Sequence, residues 1–417
     1  MTWRRSLAAA LGVGVLVVVG TCVAKRRGGC DSSLTLPAGF CSIVVADRIG
    51  PARHVVVAPN GDIYVALWRE GGRRGGILAL RDTTGDGVAD VREQFGPEAG
   101  SGIALRDSLL YFATWNRVFR FTLRGKLVPV DAPDTIVVDL PELEHGARSI
   151  AVDGRGHLFV NIGAPSNACE RNYVGRNFVG DDPCLELAAS GGIWRFDTRQ
   201  RLQRPSLATR FATGLRHTVA LGLDADGVLY GAPHGIDHLH TWWPKAGFSA
   251  EDAARKPSET LFRIDSGGDY GFPYCMHDPD SKRMVLAPAY GGDGHALGRC
   301  ASAVQPLVAF PAHSAPMALL FYHGSQFPPR YRNGLFVAFH GSLFHEPLEP
   351  RGYSVSFVPF AGTGPSGEAE TFAKAGFALV GVAARPSGLA EGPDGSLYVT
   401  DDSRGKLWRV RWRGDLE

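Results

Sequence analysis

The chain has 417 residues, and its 44 basic and 42 acidic side chains leave a net charge of only +2. That balance provides no field to draw nucleic acid, and no basic run interleaved with aromatics occurs beyond residue 27. With 53 glycines and few long amphipathic stretches, the composition excludes a helical protein and points to turn-dense β structure, and no Ser- or Pro-rich linker divides it.

The first segment carries Arg4 and Arg5, an apolar run from Leu7 to Ala24, and then Lys25, Arg26 and Arg27. This reads as an export signal or a single membrane anchor, long enough to span a bilayer. Cys22 after Val19, Gly20 and Thr21 fits a lipoprotein acceptor only loosely. The expected division is a signal or anchor with a short linker over 1–33 and one β domain over 34–417. The folded part is expected outside the cytoplasm, periplasmic or anchored facing the periplasm, with membrane contact only through the first segment. Besides Cys22 the cysteines are Cys30, Cys41, Cys169, Cys184, Cys275 and Cys300, an even set that suits disulfides in an exported chain. Sequence alone leaves the pairing open; joining neighbours gives Cys30 with Cys41, Cys169 with Cys184 and Cys275 with Cys300. None has the close spacing of a zinc knuckle.

A polar or arginine residue, a short apolar run, a Gly-containing turn and a second apolar run recur at 53–65, 148–160, 216–230 and 385–399. Each copy is a hairpin signal, because Gly supplies the positive φ of a tight turn between strand-forming residues. Degenerate copies lie at 102–112 and 314–322. About six such units, stacked so that neighbours close a shared core, predict an all-β six-bladed propeller. Irregular spacing predicts long insertions at 164–190 and 237–305, where binding residues sit on a rigid scaffold.

The inner strand of each blade lines the channel, so residues at equivalent starts approach one axis. Arg53, Arg148, Arg216 and Arg385 open four of the copies. Together they would suit a planar ligand with several carboxylates or phosphates; separately, each would pair with an acid of a neighbouring blade or reach solvent. His145, His217, His234, His313 and His340 cluster near the same positions, and an imidazole near its reference pKa of about 6.5 takes a proton at neutral pH. No His-Glu-x-x-His or Gly-x-Ser-x-Gly motif supports a zinc protease or a serine hydrolase. At 82–93, oxygens of Asp82, Thr84, Asp86, Asp90 and Glu93 fall at the first, third, fifth, ninth and twelfth positions of a calcium loop, with Gly87 at the sixth. It is read either as a structural calcium loop or as a solvated acidic hairpin turn.

Several segments carry a more specific likeness: 213–217, 267–275, 313–340 and 392–403. On these the chain resembles the glucose/sorbosone dehydrogenase family, six-bladed propellers that use pyrroloquinoline quinone (PQQ), with the last segment closest to the sorbosone-type branch. The resemblance implies His145 as general base, Arg216 at the quinone oxygens and Arg385 at a cofactor carboxylate. It places Arg53, His217, His313 and His340 near other cofactor positions; Arg148, from the strand-start argument, and His234 complete the expected cofactor-binding set. Backbone carbonyls around His234, Gly235 and Ile236 are implied to hold a calcium ion that polarises the quinone. The chain departs from the family at His217 and His234, where relatives have amides, and after His340, which lacks the usual Trp-Asn-Arg; beyond Asp237, Glu259 is the next counterpart of the acidic residues that relatives carry there.

The expected function is oxidation of a sugar, aldehyde hydrate or related alcohol, with electrons passed to a separate cytochrome or quinone acceptor. The alternatives are a non-catalytic binding propeller with a drifted site and a metal-dependent, lactonase-like hydrolase.

Overall fold

The computed structural model describes residues 29–68, 75–170, 175–342, 346–375 and 384–414. The segment 1–28, read as a signal or anchor, lies outside the described residues. No helix among them is long and apolar enough to cross a membrane.

Six antiparallel sheets form a closed ring, as the repeats predict. Blade 1 comprises Ala52–Val57, Ile63–Leu67, Gly76–Arg81 and Val91–Phe95, and blade 2 comprises Gly100–Arg106, Leu109–Thr114, Val118–Thr122 and Asp134–Val137. Blade 3 is built from Ile150–Val152, His157–Ile162, Gly192–Asp197 and Arg210–Thr213, and blade 4 from Ala220–Leu223, Leu229–Ala232, Glu259–Ile264 and Val308–Phe310. Blade 5 contains Pro316–Phe321, Leu335–Phe339, Ser354–Val358 and Glu370–Ala375, with Leu34–Thr35 added at its edge. Blade 6 takes Pro386–Glu391, Leu397–Asp401 and Leu407–Trp412 from the end of the chain and Phe40–Ala46 from its beginning. Pairing of the first long strand with the last closes the ring and leaves no open seam.

Local chemistry explains the inner hairpins. Gly61, Gly156, Gly227 and Gly395 turn with φ of 88°, 88°, 78° and 77°, a region that a side chain would strain. Asp153 and Asp224 fix two of these turns by accepting amide hydrogens from residues two and four positions on. The second strands, such as Ile63–Leu67 and Leu335–Phe339, are buried along their whole length because each is packed on both faces by neighbouring blades.

All three expected disulfides form, Cys30–Cys41, Cys169–Cys184 and Cys275–Cys300. They place the folded chain in an oxidising compartment. The latter two staple the long insertions of blades 3 and 4, a region that also carries the capped helix Ala250–Arg255, whose Ser249 and Asp252 form a capping box.

Candidate active site

Residues at the start of one inner strand bond to those at the start of the next: Ser101 with Arg148, Ser149 with Val219, and Ser387 with Ala52. The inner strands therefore run in one direction around the ring. Because each second strand is antiparallel to its inner strand, its end reaches the same mouth. That mouth gathers His145, Arg216, His217, His313, Arg53 and Arg385 from strand starts. Trp68, Trp115, Asn167, His234, Asp237, His340 and Asp402 come from second-strand ends.

On the side of blades 3 to 5, Arg216 is the hub. Its Nη1 donates to the Gly235 carbonyl at 2.7 Å, and its Nη2 donates to Asn167 Oδ1 at 2.9 Å and to Asp237 Oδ2 at 3.2 Å. The other Asp237 oxygen receives His313 Nδ1 at 3.2 Å, while His313 Nε2 donates to the Ala253 carbonyl at 2.8 Å. With both ring nitrogens facing acceptors, His313 is an imidazolium. Burial opposes that charge, but Asp237 outweighs it and raises the His313 pKa. Burial likewise pushes the Asp237 carboxyl up, yet Arg216 and His313 hold it well below the usual carboxylate range. Beneath them lies buried Glu259, whose oxygens accept the amides of Gly235 at 2.9 Å and Ala315 at 3.3 Å. Burial pushes its pKa up to about 7.

His145 stands beside this hub. Its Nδ1–H donates to the Ala164 carbonyl at 2.6 Å, and the Ala164 amide in turn donates to the Arg216 carbonyl at 2.7 Å. One residue thus fixes both the ring and the arginine. Burial, aided by the Arg216 charge, lowers the His145 pKa to about 4, so the ring is neutral with Nε2 as a lone-pair acceptor. His217 packs against it at 4.9 Å between ring centroids and against His234 at 5.1 Å. Burial keeps both of these neutral as well, His234 at about 4.

A second cluster joins blades 5, 6 and 1. Asp402 receives Arg53 at 3.2 Å and His340 Nε2 at 2.9 Å, with Arg385 at 3.6 Å. Arg385 Nη2 donates to His340 Nδ1 at 2.7 Å. The Arg53 guanidinium lies over Trp68, 5.2 Å from the ring centroid, and Trp68 meets Trp115 at 4.7 Å.

The four arginines do not converge as the strand-start argument expected. Arg53 and Arg385 share Asp402 and Arg216 forms its own hub, whereas Arg148 is fully buried with its guanidinium on the carbonyls of Trp115 and Pro141. The loop at 82–93 also departs from the calcium pattern. Asp82 accepts the amides of Thr84, Gly85 and Gly87, Asp90 holds Thr83, and Asp86 turns back onto the Val88 amide. Glu93 lies exposed on the outer strand of blade 1, opposite Ala79. Among the described residues, Asp82, Asp86, Asp90 and Glu93 supply no three ligand atoms within 4.8 Å of one another. Among the described residues, the one set of three His, Cys, Asp or Glu ligand atoms within 4.8 Å of each other is Cys169, Cys184 and Glu186, whose sulfurs are joined in a disulfide. Near the channel, the carbonyl of Gly235 is engaged by Arg216, and Ile236 beside it is buried.

Strand starts and the family resemblance led to most of these residues, His234 and His340 among them, but not to Asn167, Asp402, Trp68 and Trp115. Their shared signal is a position just after a second strand.

A family model described as TrAA12-like matches residues 34–413. The chain belongs to the TrAA12-like family. This matches the likeness to PQQ-dependent sugar dehydrogenases read from the sequence. Among curated proteins, an uncharacterized protein of Borreliella burgdorferi is 36% identical over 103 residues, covering 24% of this chain and 26% of that protein. The pyrroloquinoline quinone-dependent pyranose dehydrogenase of Coprinopsis cinerea is 24% identical over 232 residues, covering 48% of this chain and 30% of that protein. The matches thus span less than a third of these relatives' own length. Among solved structures, the holo PQQ domain of the C. cinerea pyranose dehydrogenase superposes with a TM-score of 0.73 at 17% identity, over 91% of this chain and 97% of that one. The soluble aldose sugar dehydrogenase of Escherichia coli in its apo form gives 0.60 at 17% identity, over 90% and 100%. These likenesses establish the fold of this TrAA12-like chain.

Proposed function

We propose that this TrAA12-like chain is a quinoprotein dehydrogenase that oxidises a sugar hydroxyl with PQQ held at the channel mouth. The observation that carries the reading is His145: neutral, its Nδ1–H committed to Ala164, its Nε2 left as an acceptor beside Arg216. That arrangement suits a general base.

The donor set suits a planar polyanion. Arg53 and Arg385 flank one carboxylate and stand ready for ligand carboxylates, and Arg216 and His217 present further donors. Arg216 Nε, Arg385 Nε and His217 Nδ1 are buried polar atoms without a hydrogen-bond partner among the described residues. Buried groups of this kind ordinarily have one. When bound, PQQ supplies the two-electron acceptor for hydride. His145 Nε2 takes the hydroxyl proton, the hydrogen on the same carbon leaves with its electron pair, and the alcohol becomes a carbonyl. Arg216, fixed by Asn167 and Asp237, keeps positive charge where electron density accumulates. His234, His313 and His340 orient the surrounding backbone and charges through Pro316, Asp237 and Asp402.

Calcium belongs to the same proposal, on the carbonyls of Gly235 and Ile236. A carbonyl oxygen has two lone pairs, so Gly235 can serve Arg216 and a cation together, with Glu259 ionising in response. The names of the relatives make pyranoses and aldoses the first substrates to test, with sorbosone as the competing choice. The electron acceptor is proposed to be a separate cytochrome or quinone, and the enzyme to work in the periplasm, free or anchored through 1–33.

The test is addition of PQQ and calcium to purified protein, following quinone absorbance and dye reduction with a panel of aldoses and sorbosone. Saturable binding with substrate-dependent reduction is expected. Folded protein that binds no quinone would overturn the reading.

A further inference from the structure

His145 sits on a stretch with no regular structure, between Asp134–Val137 of blade 2 and Ile150–Val152 of blade 3. A loop so placed needs other contacts to hold a ring to catalytic tolerance. Arg148 provides them. Its Nε donates to the Trp115 carbonyl at 3.0 Å and its Nη2 to the Pro141 carbonyl, so one buried guanidinium joins both ends of the segment 141–148 to the corner of blade 2. Its own backbone is locked by Ser101, whose hydroxyl accepts the Arg148 amide at 2.8 Å and faces the Arg148 carbonyl at 2.9 Å. A second zip runs alongside: the Leu140 amide donates to the Asn116 carbonyl at 3.0 Å, and Asn116 Nδ2 to Glu142 Oε1 at 2.8 Å.

The Trp115 ring completes the arrangement. It lies on Gly146, where a Cβ would meet Cζ3 at 2.2 Å and Cε3 at 2.4 Å. On the other flank Gly163 leaves no room either, since a Cβ there would come within 2.7 Å of His145 Cβ and 2.6 Å of the His145 carbonyl. Trp115 in turn meets Trp68, and Trp68 carries Arg53, which pairs with Asp402.

We propose that Arg148 and the Trp115 corner form a clasp that sets the position of the His145 imidazole, so that Arg148 is a positioning residue for the proton acceptor and not a cofactor ligand. The inference rests on His145 being the base. A planar guanidinium can hold two carbonyls at once; a lysine ammonium, a point charge on a flexible stem, holds them less firmly.

The experiment compares Arg148→Lys, Arg148→Met, Trp115→Ala and Gly146→Ala with His145→Ala. The readouts are NMR titration of the His145 ring without added quinone, hydrogen exchange of 140–148, quinone affinity, and single-turnover reduction. The clasp variants should let the ring titrate closer to its ordinary value of about 6.5. They should also speed exchange of the loop and slow reduction about tenfold or more, with quinone affinity changed less than about twofold in the Arg148 and Gly146 variants; Trp115→Ala also removes the support of Trp68 under Arg53 and is read by titration, exchange and rate. An unchanged His145 titration and rate in folded Gly146→Ala and Trp115→Ala would overturn the clasp. Lost quinone affinity with a normal saturated rate in Arg148→Lys would also overturn it, returning Arg148 to ligand status. If Arg148→Met fails to fold, the other variants decide. Near-normal turnover in His145→Ala would overturn the base assignment instead, while the titration and exchange would still test the clasp.

Discussion

Arg216 and Asp237 meet at 3.2 Å between a strand start and a strand end that the sequence separates by 21 residues, and Asn167 from the preceding blade holds both. The pair is balanced as a triad, because the second Asp237 oxygen carries His313. Asp237→Asn removes the charge that two cations share. Breaking such a buried set strands the remaining charges, and a loss of about 3 kcal/mol in unfolding free energy is expected. The same change should drop the His313 pKa, since the carboxylate is what raises it against burial. Denaturant unfolding and NMR titration of His313 check both; an unaltered His313 would show that Asp237 does not govern it.

His145→Ala should leave the ring of blades folded and quinone binding largely intact, while turnover slows at least about a hundredfold, the usual scale for a lost general base. In the parent protein, burial and Arg216 keep His145 neutral down to about pH 4. The acid limb of the reduction rate is therefore expected well below the value of an ordinary histidine. A limb centred near 6.5 would mean that the ring is more exposed than the structure has it.

The blades were legible because their signals are local. A Gly turn between two apolar runs specifies a hairpin wherever it occurs, and Gly61, Gly156, Gly227 and Gly395 all adopt the positive φ that was inferred. Neighbour pairing of cysteines succeeded for a related reason, since each bridge closes a loop within one region of the chain. The site was legible in part. Strand starts pointed to Arg53, Arg216, His217 and Arg385, but a start position does not say whether a long side chain turns to the axis or into the wall. Arg148 turns into the wall because the carbonyls of Trp115 and Pro141 are there to receive it. Asn167 and Asp402 follow second strands, and only the antiparallel pairing brings them to the mouth. The loop at 82–93 has the oxygen spacing of a calcium site, yet its turns satisfy the carboxylates with backbone amides, which spacing alone cannot reveal.

The Cys169–Cys184 bridge, of sequence separation 15, begins two residues after Asn167, which accepts from Arg216. Replacing both cysteines by alanine should cost about 2–3 kcal/mol through the freed unfolded chain. It should also weaken quinone binding, because Asn167 loses its anchor. Denaturant unfolding and quinone titration of the double variant test this; a stability loss with unchanged affinity would show that the bonds to Glu170, Arg216 and Asp237 hold Asn167 without the bridge.

Two sets of groups make stability depend on pH in opposite senses. His54, His145 and His234 have folded-state values lowered to about 4, and His217 is lowered well below its ordinary value, each chiefly by burial. Groups of this kind contribute stability that is present above their unfolded value of about 6.5 and lost as pH falls through the folded values. Glu259 is raised to about 7, so its contribution is complete below about 4.5 and fades as pH rises through 7. The wild-type protein should therefore lose stability steeply between pH 6.5 and 4. Glu259→Gln, which keeps the group uncharged, should gain on the wild type by an amount on the order of 2 kcal/mol between pH 5 and 8. Urea unfolding of both proteins at the two pH values measures that difference directly. An equal gap at pH 5 and pH 8 would mean that Glu259 is ionised throughout, and that the amides of Gly235 and Ala315 hold it as a carboxylate despite its burial.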